Sequence, residues 1–139
     1  MKYKIISIVI VSSYIFFSSC KKDEQDDGHG DHTHSPEFSN QAYMDARDCT
    51  GVTTPTFNND VSLIMNTSCA TSGCHNTGTG ASGIVLNNYS NTKSAFESYD
   101  FLCAINHGDG CSNMPKNSPK LHDTLIEKIT CWAKSGFPQ

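Results

Sequence analysis

Apolar residues are unevenly spread along the 139-residue chain. Residues 5–17, IISIVIVSSYIFF, form one nearly unbroken apolar run. Residues 21–40, KKDEQDDGHGDHTHSPEFSN, contain almost none. A helical rhythm then begins. FNNDVSLIMNTSC, residues 57–69, places Val61, Ile64, Met65 and Ser68 at helical spacing, which predicts a helix running into Cys69. NTKSAFESYDFL, residues 91–102, predicts a short middle helix from Ala95, Phe96 and Tyr99. KLHDTLIEKITCWAKSGFPQ closes the chain with Leu121, Leu125, Ile129 and Trp132 spaced i, i+4, i+8, i+11. Gly136 and Pro138 mark where that last helix stops. Trp132 and Phe96 are expected to pack in the core, and so is Met65. His122 is expected to cap or flank the last helix.

The first apolar run is 13 residues long, too short for a membrane span of roughly 20. With MKYK before it and small residues after, it reads as a secretory signal. Ser18–Ser19–Cys20 resembles a bacterial lipobox, which implies that Cys20 is lipidated and begins the mature protein. Phe17 departs from the aliphatic residue usual three before that cysteine. Residues 1–19 are then the signal, 20–48 a flexible acidic, His-rich tether, and 49–139 the folded domain. Lys-Asp-Glu at 22–24 resembles the surface-export signals of some Gram-negative lipoproteins. The expected location is an outer or cytoplasmic membrane lipoprotein facing the periplasm or the cell surface. His29, His32 and His34 could hold a metal ion loosely, but nothing fixes their geometry, so a plain linker is the favoured reading. Charge adds one exclusion. The chain has 10 basic and 14 acidic residues; without Lys2 and Lys4 the balance is 8 against 14, a net charge of −6. That argues against nucleic acid as a partner.

An exported chain makes the seven cysteines informative. Lipidation of Cys20 leaves Cys49, Cys69, Cys74, Cys103, Cys111 and Cys131. Three disulfides would use all six. One haem with two thioethers plus two disulfides would also use all six. Zinc fits poorly: adjacent Cys74 and His75 cannot easily serve one ion, and no H-x3–5-H pair follows them.

The stretch SCATSGCHNTG, residues 68–78, separates these readings. Cys69 and Cys74 are followed at once by His75. The common haem-attachment motif is C-x-x-C-H, and the adjacency of the second cysteine and the histidine is its strict part. Here the gap is the bulge Ala-Thr-Ser-Gly, with Gly73 free to take an unusual backbone angle before Cys74. Downstream come GIVLNNYS at 83–90, the middle helix, Met114–Pro115 in INHGDGCSNMPK, and the final helix. In that order, residues from about 57 to 137 resemble a small monohaem c-type cytochrome of the Cys-x4-Cys-His variety. The gap of four and the extra cysteines are its departures from the family pattern.

The resemblance implies an all-α, cytochrome c-like fold: three or more short helices around one covalently bound haem c, with long loops. It implies thioethers to Cys69 and Cys74, His75 as proximal ligand and Met114 as distal ligand. His107 is the rival for the distal place. The implied function is one-electron transfer to redox protein partners from a lipid-anchored carrier, and not enzymatic catalysis. Four cysteines remain, with three possible pairings. Cys103 with Cys111 would brace the loop carrying Met114. Cys49 with Cys131 would then join two helices that cross in the family. The alternatives are a disulfide-stapled binding lipoprotein without haem, and a haem sensor or enzyme with a weak sixth ligand. Gly78, Gly80 and Gly83 match G-x-G-x-x-G but lack the strand before and helix after that a dinucleotide site needs.

Overall fold

A computed structural model of the chain describes residues 39–139. The expected signal, the Cys20 lipid site, His29, His32 and His34 lie outside the described residues. Within them the fold is all-α, with no strand among the described residues. Besides a single 3-10 turn at Ala81–Gly83, five helical elements appear in order. They are α1 (Asn40–Ala46), α2 (Phe57–Val61, Ser62–Ile64 and Met65–Cys69 in one run), α3 (Tyr89–Ser98), α4 (Phe101–Asn106) and α5 (Asp123–Lys134). No helix among them is long and apolar enough to cross a membrane.

α2 starts where Thr56 accepts the Asn59 amide through its hydroxyl at 3.3 Å and gives its own amide to the Asp60 carboxylate at 3.1 Å. This reciprocal pairing satisfies two amides at the helix end. Asp60 also pairs with Lys128 of α5 at 3.0 Å. The first and last turns of α2 are wide, with i→i+5 bonds from Ser62 to Phe57 and from Ala70 to Met65. Such wide turns are rare and gather at functional sites. The second lies directly before Cys69.

α5 carries the predicted stripe from Leu125 onward. Ile129 and Trp132 are fully buried, and Leu125 is half-buried. Leu121 precedes the helix, and the His122 ring accepts the Thr124 amide as the cap. The helix stops as the glycine predicted. Gly136 adopts φ +83°, its amide reaches the Ala133 carbonyl at 3.0 Å, and the Phe137 amide reaches Trp132 at 3.1 Å. That is a Schellman ending.

The tail beyond it ties the core together. The Pro138 carbonyl accepts from the Trp132 indole at 2.8 Å and the Phe57 amide at 2.9 Å. The Tyr89 hydroxyl donates to the Phe137 carbonyl at 2.9 Å. Around Trp132 stand the rings of Phe57, Tyr89, Phe96 and Phe137, at 4.9–6.3 Å between centroids. Met65 is fully buried in the same core.

Two expectations need correction. The middle helix does not run through Tyr99. α3 ends at Ser98, Tyr99 is extended and half exposed, and a separate helix α4 begins at Phe101. Residues 40–46, placed in the expected tether, also form the helix α1, which packs against α4 and α5. One side chain explains both. The Asn40 amide donates to the carbonyls of Phe96 and Tyr99, each at 2.7 Å, and its oxygen accepts the Leu102 amide at 2.8 Å. It satisfies the polar groups exposed where α3 breaks and α4 starts.

Both expected disulfides are present. Cys49–Cys131 joins the segment before α2 to α5, with Cα atoms 5.8 Å apart. Cys103–Cys111 closes the loop after α4, with Cα atoms 6.0 Å apart.

Candidate functional site

The four-residue bulge closes on itself. The His75 amide donates back to the Cys69 carbonyl at 3.1 Å, so Ala70 to Gly73 loop outward while Cys69 and His75 stay adjacent in space. Inside the bulge, the Cys74 amide reaches the Thr71 carbonyl at 3.0 Å. Gly73 takes φ +81°, a left-handed angle that a side chain would strain. The Cys74 carbonyl accepts from Ala81 at 3.0 Å, and the His75 carbonyl accepts from Leu86 at 2.8 Å. Asn76 holds the next turn, accepting the amides of Gly78 at 2.9 Å and Thr79 at 2.8 Å.

The His75 ring is also held. Its Nδ1 lies 3.1 Å from the Ile84 carbonyl. A carbonyl only accepts, so Nδ1 carries a proton, and in the neutral ring Nε2 keeps its lone pair. A backbone carbonyl on one imidazole nitrogen is the usual way a metal-binding histidine is oriented.

Among the described residues, Cys69 and Cys74 are the free cysteines. They differ sharply. Cys74 is exposed. Cys69 packs against the core, and burial, with the Cys74 sulfur beside it, pushes its thiol up to about 11.

Met114 forms a second group, after α4. It is half-buried against the same core as Cys69. Its amide donates to the Ala104 carbonyl at 3.0 Å, and its carbonyl accepts from His107 Nε2 at 3.1 Å. The Cys103–Cys111 disulfide spans this loop. Hydrogen bonds thus gather Cys69, Cys74, His75 and Ile84 into one unit, and His107 and Met114 into another. Ile84 acts through its main chain, so no residue type could have announced it.

By residue type, the donor set matches what a haem would need. It offers two thiols, one imidazole nitrogen with a lone pair and one thioether, all on segments whose backbone is hydrogen-bonded. Among the described residues no three His, Cys, Asp or Glu side chains gather around a common point. That observation concerns ions held by such side chains alone, whereas haem iron takes four ligands from its own ring. Two open clefts, of about 280 Å³ and about 580 Å³, lie along α3 and between the starts of α2 and α3. Neither is lined by Cys69, Cys74, His75 or Met114. No family model, curated protein or solved structure matches the chain.

Proposed function

We propose that this chain is a one-electron carrier, in which Cys69 and Cys74 would hold one haem c through thioethers and His75 and Met114 would ligate its iron. The observation that carries the reading is the division of the cysteines. Four of the six in the described residues pair off, and of the two left over, Cys69 and Cys74, the second directly precedes His75, whose Nδ1 is held by a backbone carbonyl. In an oxidising compartment unpaired thiols need a reason to persist.

Each residue then has a definite task. Cys69 and Cys74 bind the group covalently, which prevents its loss outside a cell. The Ile84 carbonyl fixes the ring and tautomer of His75. Met114 would offer a soft thioether, which favours reduced iron. Bound there, the haem iron would supply reversible one-electron chemistry. A lipid on Cys20 would place the carrier at a membrane surface, within reach of redox proteins.

Expression of the full chain with cytochrome maturation machinery tests the ligand set. The oxidised parent is expected to show the weak charge-transfer band that iron–methionine bonding gives near the red end. Met114→Ala is expected to abolish the band and admit carbon monoxide. A band unchanged in Met114→Ala would remove Met114 from the ligand set.

A further inference from the structure

His107 ends α4 in the left-handed conformation, φ +56° and ψ +40°. That position normally belongs to glycine or asparagine, because a larger side chain strains the backbone there. Strain of this kind persists where surrounding structure holds it, often at functional sites. The ring makes one hydrogen bond of note, from Nε2 to the carbonyl of Met114 at 3.1 Å. The Met114 amide is fixed from the same helix end, by the Ala104 carbonyl at 3.0 Å. Residue 114 is therefore clamped at both its backbone groups by the last turn of α4.

The clamp is itself supported. The Cys103–Cys111 disulfide binds α4 to the loop. Gly108 packs so closely that any side chain there would run into the Tyr43 hydroxyl and the Cys103 sulfur. α1, which carries Tyr43, thus backs the loop from behind.

We infer that His107 is a positioning residue, holding the Met114 carbonyl so that the thioether keeps a fixed direction. The role rests on the proposed haem function, and it occupies His107 Nε2 with the Met114 carbonyl. A ring whose Nε2–H donates to a carbonyl is not offering that nitrogen to a metal. The role also explains why histidine stands at a position that glycine fills with less strain.

The test uses the full chain, matured with haem, as parent, His107→Gly and His107→Gln. Glycine relieves the backbone strain and removes the donor. The expected His107→Gly protein unfolds at the parent's temperature or above it, yet loses most of the iron–methionine band and binds carbon monoxide. His107→Gln, whose amide can donate to the same carbonyl, is expected to keep the band. If His107→Gly also lowers the unfolding temperature, His107→Gln decides: a retained band supports positioning, and a lost band overturns it. A His107→Gly protein with the parent's full band overturns the role while leaving the haem reading intact. A parent with covalent haem and no such band, opened to carbon monoxide by His107→Gly, makes His107 the ligand and overturns it too. A colourless parent overturns the haem reading, and this role with it.

Discussion

Asn40→Ala removes a side chain that three backbone groups share. Its bonds to Phe96, Tyr99 and Leu102 measure 2.7, 2.7 and 2.8 Å. A typical intramolecular hydrogen bond contributes about 0.5–1.5 kcal/mol net. Two of these three are partly buried and one is exposed, so the sum is about 2–3 kcal/mol. Alanine is a better helix former than asparagine, so α1 itself does not suffer from the change. The loss falls on docking. α1 has seven residues, too few to hold a helix alone, so without Asn40 it should detach from α4 and α5 more readily. For a domain of this size the shift is about 10–20 °C in the unfolding midpoint. Thermal and urea unfolding of Asn40→Ala would measure it. Gln41→Ala is the control, since Gln41 makes only an exposed bond to Asp45 at 2.8 Å. Equal stability of the two variants would refute the reasoning and return residues 40–46 to the tether.

Three further outcomes follow from the same structure. Replacing both Cys49 and Cys131 by serine opens a link across 82 residues, and calorimetry should show a loss of about 2–5 kcal/mol; no loss would deny the link. In haem-free reduced protein at pH 8, iodoacetamide should modify exposed Cys74 well before Cys69, because a thiol at about 11 is ionised in about one molecule per thousand; equal rates read by mass spectrometry would contradict the burial of Cys69. The Asp60 carboxyl is held below its ordinary 3.8 by Lys128 and by the Thr56 amide. A lowered folded value means that its contribution is present above 3.8 and disappears as the pH falls through the folded value. Asp60→Asn should therefore be less stable than the parent at pH 7 by about 0.2–1 kcal/mol, an exposed pair's worth, and the gap should close in acid; a gap that widens in acid reverses the sign.

The parts of the fold legible in the sequence share one property: they are local. The stripe of α5, its His122 cap, its Gly136 stop and the turn at Gly73 each follow from neighbours a few residues away. The disulfide pairs were legible through the resemblance, which supplied the crossing of the first and last helices. What stayed hidden depends on distant contacts. The Asn40–Leu102 bond spans 62 residues, and nothing in NQAYMDA announces that a loop break awaits it. Phe96 and Tyr99 lie three apart, so periodicity carried the middle helix one residue too far. The site divides the same way. Cys69, Cys74 and His75 announce themselves, while the Ile84 carbonyl and the backbone clamp on Met114 are main-chain features with no residue signature.

The central claim is that Cys69 and Cys74 carry a covalent haem, and intact-protein mass spectrometry with a pyridine haemochrome spectrum tests it most directly. The chain, produced with cytochrome maturation machinery in an oxidising compartment, is predicted to be heavier by one haem. Its haemochrome should be of c type, and its colour should survive acid–acetone extraction. A Cys69→Ala, Cys74→Ala double variant should lose all three properties while keeping both disulfides. A folded, colourless parent carrying a third disulfide between Cys69 and Cys74, or a haem that passes into the acetone, would contradict the account.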